Sequence, residues 1–163
     1  MTSIAPSKKS TPRGSKNGAD HSQTLQINEP KRSSKAFTLP TDKHLFSLEK
    51  PDDFESIISE AGDRVVMFEF FAAWCGPCKI LTTKLMDMAE VYKGKLLIVK
   101  IDVDEFEDMA VEHNVTAMPT FLIMQHKKLL KQFASSNAES LQETVETYAG
   151  KPEGQGNGKE EKK

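Results

Sequence analysis

The segment FEFFAAWCGPCK, residues 68–79, joins a run of large apolar side chains to the only two cysteines of the chain. The apolar run begins at Val65 and reads VVMFEFF through Phe71. Its β-branched and aromatic residues, without polar alternation, predict a central strand that is covered on both faces. Apolar residues at helical spacing follow from Cys78 to Tyr92, and Gly94 closes that pattern. Both sulfurs are therefore predicted where a buried strand ends and a helix begins.

The position of Cys75 favours a reactive thiolate. Backbone N–H groups without partners and the helix dipole stabilise negative charge at a helix amino terminus, and the thiolate is the nucleophilic form of cysteine. We predict that Cys75 is the exposed nucleophile and that Cys78, one turn inside the helix, resolves a mixed disulfide. Gly76 permits close backbone approach at the turn, and Pro77 occupies an early helical position that needs no donor.

Two other interpretations of the cysteine pair are weaker. A structural zinc site needs four ligands, and His113 and His126 lack compact zinc-ligand spacing relative to the two cysteines, so no metal is predicted. A structural disulfide closing so short a loop would constrain the unfolded chain little. The remaining histidines, His21 and His44, lie in or beside the amino-terminal segment, where we predict that water solvates them.

Glu69 and Lys100 are charged residues inside runs that are predicted to be buried strands. A buried charge without a partner costs several kcal/mol, so each side chain either reaches water at a strand end or has a specific partner. Our hypothesis is that adjacent central strands bring the two residues together near the sulfurs. Burial would raise the pKa of Glu69 towards the range of a general base at neutral pH, and the Lys100 ammonium would lower it in part.

Strands and helices alternate through the middle of the chain until a terminal hairpin. This pattern predicts an α/β domain whose mixed sheet carries helices on both faces, in the order β-α-β-α-β-α-β-β-α. Besides the strand and helix described above, the predicted strands are 44–50, 95–103, 120–124 and 128–133, and the predicted helices are 51–61, 104–114 and 138–148.

Composition divides the 163 residues into three parts. Residues 1–43 and 150–163 are rich in small, polar and charged residues, so we predict a disordered arm and a disordered tail around a folded domain at 44–149. The arm has 8 Lys and Arg against 3 Asp and Glu, the domain 10 against 18, and the tail 4 against 3. The arm is therefore basic and the domain acidic.

The basic arm is compatible with nucleic acid, an anionic membrane surface, the acidic domain, or simple solvation. Nucleic acid is disfavoured, because no aromatic residues alternate with basic ones and the basic clusters are short. The sequence has no apolar run of membrane-spanning length and no secretory signal, and its opening resembles a mitochondrial leader only weakly. We expect a reducing compartment, the cytoplasm, with the nucleus also open.

Four blocks of the sequence closely resemble the thioredoxin family. They are VVMFEFFAA (65–73), WCGPCK (74–79), KIDVDE (100–105) and NVTAMPTFLI (114–123). The resemblance covers about residues 44–149 in the family's order, and the joint presence of these blocks is far more specific than one CxxC motif. It implies the thioredoxin fold and the reduction of protein disulfides.

The resemblance also implies a substrate groove. Met118-Pro119 matches the family's cis-proline dipeptide, although from the sequence alone an ordinary turn proline would be expected. A cis bond would leave the Met118 backbone free to pair with an extended substrate. Trp74 matches a groove residue, although a core tryptophan is the alternative. The other implied groove residues are Ala73, Thr120 and Ser135.

The sequence departs from the family pattern at three places. Glu69 stands where the family usually has Asp, which changes the position and the pKa of the carboxyl group. A glycine near the groove is replaced around Ala134-Ser135, and the usual glycine of the hairpin is missing, so Lys127 is expected to adopt an unfavourable positive φ.

The predicted function is protein-disulfide reduction by thiol–disulfide exchange at Cys75 and Cys78, contributing to electron transport and cell redox homeostasis. We expect a monomer, since the chain lacks further cysteines that could link two copies. The resemblance implies that no bound cofactor is needed and that electrons come from a flavoprotein thioredoxin reductase that uses NADPH. The alternative is a redox-dependent binding module located by its basic arm. A disulfide isomerase is disfavoured because it would require an oxidising compartment.

Overall fold

The structure, a computed structural model, describes residues 37–152, and the predictions for residues 1–36 and 153–163 lie outside the described part. Five strands and four helices alternate in the predicted order. The strands are β1 (Leu45–Ser47), β2 (Val65–Phe71), β3 (Leu96–Asp102), β4 (Thr120–Gln125) and β5 (Lys128–Ala134). The helices are α1 (Asp53–Glu60), α2 (Gly76–Val91), α3 (Glu107–Glu112) and α4 (Ala138–Ala149).

The five strands form one mixed sheet in the order β1-β3-β2-β4-β5. The strand β3 pairs in parallel with both β1 and β2, whereas β4 is antiparallel to β2 and to β5. The two central parallel strands have a register that places Glu69 beside Lys100. The predicted α/β class and mixed sheet are confirmed.

Each face of the sheet carries one hydrophobic core, which explains why β2 shows no polar alternation. Phe68 and Phe70 pack on the side of α1 and α3. Val65 and Met67 point to the opposite side, where they pack with α2 and α4. Since successive residues of a strand point to opposite faces, a strand buried on both sides needs apolar residues at nearly every position.

Several element boundaries differ from the predictions. The strand predicted at 44–50 is shorter, because only Leu45–Ser47 pair with β3. The helix α1 begins at Asp53, two residues after Pro51. The helix predicted at 104–114 contains only Glu107–Glu112, since the chain first turns at 103–105.

The amino-terminal boundary of the folded part also differs from the predicted one at residue 43. Leu39 is only 8% exposed and belongs to the core on the side of α1. Its backbone N–H donates to Glu60 Oε2 over 2.9 Å, and the ring of Phe37 lies 6.5 Å from that of Phe46. Residues 37–43 therefore pack against the domain.

The prediction that water solvates His44 is wrong. The residue is 8% exposed, and neither ring nitrogen has a hydrogen-bond partner among residues 37–152. His44 lies between the packed segment 37–43 and the strand β1, a position that the prediction left exposed.

Candidate active site

The two cysteines lie at the amino terminus of α2, as predicted. Cys75 is the N-cap residue, and its extended backbone lets Sγ accept a hydrogen bond of 3.2 Å from the N–H of Cys78. Cys75 and Cys78 form a disulfide with a Cα–Cα distance of 5.4 Å. The helix begins at Gly76, directly after Cys75, and Pro77 occupies its first turn, where no donor is needed. The same backbone dipoles would stabilise a Cys75 thiolate after reduction.

The prediction that Cys75 is exposed is wrong for this disulfide form. Cys75 is 5% exposed and Cys78 is 1% exposed. Both sulfurs pack in a small apolar cluster with Ala72, and the cluster is closed by Phe71, Val103 and Met118. Cys75 is nevertheless the more accessible of the two sulfur-bearing residues, and its neighbours Gly76 and Pro77 are exposed.

Glu69 lies on β2 with its side chain completely buried. Its position in the strand alternation matches that of Met67, so it points to the face on which α2 packs. Lys100 Nζ lies 3.6 Å from Glu69 Oε2, which makes an ion pair that is too long for a direct hydrogen bond. Neither carboxyl oxygen accepts a hydrogen bond from residues 37–152.

This environment changes the acidity of Glu69. Burial disfavours the charged carboxylate and raises the pKa of Glu69 from its ordinary 4.5 to about 6, against the opposing effect of the Lys100 ammonium. The extra methylene of Glu69, noted as a departure from the family pattern, therefore leaves a buried carboxyl group that ionises just below neutral pH.

Lys100 connects this carboxyl group with the cysteine cluster. Its side chain is 12% exposed, and Nζ lies 4.1 Å from the centre of the Phe71 ring. Phe71 in turn packs against the cluster that contains Cys75 and Cys78. The predicted meeting of Glu69 and Lys100 is thus observed, and the alternative of a charge at a strand end in water does not apply to Glu69.

The loop before β4 contains the predicted proline. The Met118–Pro119 peptide bond is cis, as the resemblance implies. Met118 packs on the cysteine cluster, and the Thr120 hydroxyl donates to the Ala117 carbonyl over 2.6 Å. Ser135 donates its backbone N–H to the Pro119 carbonyl over 3.3 Å. The last contact joins the segment after β5 to the proline loop.

Trp74 is 67% exposed, so the alternative of a core tryptophan is wrong. Its indole N–H donates to Asp104 Oδ2 over 2.9 Å. Asp104 was not predicted as a partner, although KIDVDE places it two residues after β3, at the sheet edge where β2 also ends. Asp104 is held by its own N–H, which donates to Asp102 Oδ1 over 3.0 Å.

A cleft of about 450 Å³ lies beside the disulfide. Val103 and Met118 line it and also pack against the cysteines. Its other apolar residues include Ala110, Val111 and Val115, and Asp104 and Glu107 line it as well. The cysteine cluster and this cleft therefore share one wall.

The described residues contain no group of three or more side chains suited to hold a metal ion. They also contain no helix long and apolar enough to cross a membrane. Ala73 is exposed beside Trp74, whereas Thr120 is 4% exposed.

Comparisons with known proteins agree with this geometry. The sequence model of the thioredoxin family matches residues 46–147. Thioredoxin-T of Drosophila melanogaster is 37% identical over 106 residues, which cover 65% of this chain and 68% of that protein. The solved structure of the germline-specific thioredoxin Deadhead of Drosophila melanogaster has a TM-score of 0.60 at 31% identity, covering 63% of this chain and 97% of that one.

A further solved relative is a thioredoxin f2 in a complex with ferredoxin:thioredoxin reductase. It has a TM-score of 0.59 at 28% identity and covers 64% of this chain and 94% of that one.

Proposed function

Because the chain belongs to the thioredoxin family and is a protein-disulfide reductase, we propose that Cys75 is its nucleophile, Cys78 its resolving thiol and Glu69 the proton acceptor for Cys78. The observation that carries this assignment is the pair of sulfurs at the start of α2, with Cys75 Sγ as the N-cap acceptor. A group that accepts a backbone N–H there is stabilised as an anion.

The exchange has two steps. The Cys75 thiolate attacks one sulfur of a substrate disulfide, which forms a mixed disulfide and releases one substrate thiolate that takes a proton from solvent. Cys78 then loses its proton and attacks Cys75 Sγ, which releases the second substrate thiolate, and this thiolate takes up a proton in turn. The substrate gains two electrons and two protons, and the protein retains the Cys75–Cys78 disulfide seen in the structure.

Glu69 would act in the second step. Its pKa of about 6 makes it mostly ionised at neutral pH and still a useful proton acceptor. Lys100 would tune this acidity as the ion-pair partner at 3.6 Å. The proposed substrate groove consists of Trp74, Ala73, Met118, Pro119, Thr120 and Ser135.

A reductase must restore the dithiol after each turnover, and the thioredoxin f2 complex shows a relative bound to such a partner. For this chain we propose a flavoprotein thioredoxin reductase that passes electrons from NADPH, with no cofactor bound to the chain itself. A monomer in the cytoplasm would fit this electron transport and a role in redox homeostasis, because thiols are kept reduced there. Transfer to the nucleus is part of the same proposal, and nucleic acid is not a proposed partner.

Stopped-flow mixing of the reduced protein with a peptide disulfide tests the assignment. Glu69→Gln should slow resolution about tenfold or more and let the mixed disulfide accumulate, with little effect on the first attack. Glu143→Gln, an exposed change on α4, is the matched control and should leave both steps unchanged. Equal slowing of both steps in Glu69→Gln would rule out its role as the base.

The second candidate function, a redox-dependent binding module, gives a different result. Such a module would bind partners in one redox state without catalytic turnover of insulin disulfides in the presence of a reductase. Sustained turnover with the folded protein excludes it as the main function.

A further inference from the structure

The cleft beside the disulfide combines an apolar floor with a negative rim. Its floor contains Val103, Ala110, Val115 and Met118, and Val111 lines it while remaining 71% exposed. The acidic residues Asp104 and Glu107 also line the cleft. An apolar channel with charge along one side suits a peptide that offers both an apolar side chain and the opposite charge.

The negative charge extends beyond the two lining residues. Residues 102–112 contain six acids and no Lys, Arg or His. Asp104 accepts the indole N–H of Trp74, and within residues 37–152 none of these six acids forms an ion pair. Asp104 and Glu107 line the cleft, and the other four acids add negative charge to the same segment.

The nearest basic residues along the chain do not neutralise this rim. Lys100 is 12% exposed and is engaged with Glu69 and the Phe71 ring. The ring of His113 packs between Phe54 and Phe70 in the core, with centroid distances of 5.2 and 5.6 Å. An exposed Lys79 lies on α2, the helix that begins at the disulfide and packs on the other face of the sheet.

We propose that this protein selects disulfides in peptide segments that carry Lys or Arg a few residues to one side of the reactive cysteine. The basic side chain lies against Asp104 and Glu107, and the intervening residues cover the apolar floor of the cleft. This specificity rests on the proposed function, because the cleft shares Val103 and Met118 with the cysteine cluster. It would act mainly on the rate of association, since opposite charges steer encounter.

Single-turnover kinetics with two peptides test the proposal. Each peptide contains one disulfide and no tryptophan, and the two differ only in having two Lys or two Glu on one side of it. The chain has a single tryptophan, Trp74, next to Cys75, so its fluorescence reports oxidation of the protein dithiol. We expect the second-order rate constant for the Lys peptide to exceed that for the Glu peptide about tenfold at about 0.02 M salt, and about twofold at about 0.5 M.

The variant Glu107→Lys should bring the ratio of the two rate constants close to one. The matched control is Glu143→Lys, which makes the same change in net charge on α4, across the sheet from α3, and should keep most of the preference. Equal rates for both peptides with the unchanged protein would overturn the proposal. Loss of the preference in both variants would also overturn it, because net charge and not the cleft would then be responsible.

A small uncharged disulfide, 2-hydroxyethyl disulfide, separates this inference from the proposed function. It does not reach the acidic rim, so its reduction should be equal in all three proteins. If the protein reduces this compound and reduces the two peptides at the same rate as each other, the specificity is refuted and the reductase function remains. No reduction of any disulfide by the folded, reduced protein would refute the proposed function and the specificity with it.

Discussion

Glu69 carries the one carboxyl group that is buried among residues 37–152. Its oxygens accept no hydrogen bond from those residues, and its only ionic partner is Lys100 at 3.6 Å. A charge in this position costs stability that the ion pair offsets only in part. The proposed role of Glu69 as a proton acceptor would explain why the chain keeps a residue that the fold alone would not favour.

The raised pKa of Glu69 predicts a pH dependence of stability. Between pH 4.5 and about 6 the folded protein binds more protons at this residue than the unfolded chain. The free energy of unfolding should therefore fall as pH rises through this interval, by about 2 kcal/mol for a shift of this size. Urea unfolding of the disulfide form at a series of pH values measures this change.

The matched comparison uses Glu69→Gln and Glu143→Gln. The first variant should lose the decrease that Glu69 causes, and the second should retain it because its side chain is exposed. Identical pH profiles for the unchanged protein and Glu69→Gln would show that the Glu69 carboxyl group has an ordinary pKa.

For single residues, the sequence allowed a structural prediction where a charged residue occurs within an apolar run. Glu69 and Lys100 are charges in apolar runs, so their pairing could be inferred. Asp104 and His44 show no such conflict with their neighbours in sequence. The hydrogen bond of Asp104 with Trp74 and the burial of His44 arise only in the folded chain.

Among the helices and strands, α2 is the one that both positions the two cysteines and packs against the sheet. Cys75 caps its amino terminus, and Leu81, Leu85 and Met88 hold the same helix against the sheet. The sequence predicted this helix because apolar spacing and a proline near its start agree. The short α3 was predicted too long, since residues 103–105 form a turn that has no apolar periodicity to mark it.

The β4–β5 hairpin contains local strain that a substitution can relieve. His126 and Lys127 have φ values of 50° and 62°, a region that L-residues other than Asn, Asp and His rarely adopt. We expect Lys127→Gly to stabilise the fold by about 0.5 to 1 kcal/mol, because glycine enters this region without a steric cost. Chemical denaturation of the disulfide form measures the difference.

The neighbouring strand residue Lys128 supplies the control for this prediction. Lys128→Gly should destabilise the fold, because glycine in a strand loses more backbone freedom and no positive φ is relieved there. A destabilising effect of Lys127→Gly would show that the lysine side chain contributes more to the free energy of unfolding than its positive φ costs.

For the molecule as a whole, the described fold begins earlier than composition indicates. Residues 37–43 are mostly polar or proline-containing in the sequence, yet Leu39 enters the core and Phe37 contacts Phe46. A single leucine in a polar segment has no periodicity, so the sequence could not identify it as a core residue. The order of strands and helices along the chain, in contrast, could be predicted from their alternating sequence patterns.

We predict that Leu39→Ala destabilises the full chain by about 2 kcal/mol, because it removes a buried side chain from the core on the side of α1. Thr38→Ala at the adjacent exposed position should change stability by less than about 0.5 kcal/mol. Urea unfolding compares the two variants. Equal stability of both would mean that residues 37–43 do not contribute to the core in solution.

The strand β5 forms one border of the sheet and is mostly exposed along its length. An uncovered sheet border can recruit the border of another molecule and start aggregation. Here Lys128 and Lys131 lie along it, and a register irregularity at Ile123–Met124 interrupts the pairing with β4. Two molecules that met along this border would bring like charges together, so the protein should remain dispersed even at high concentration.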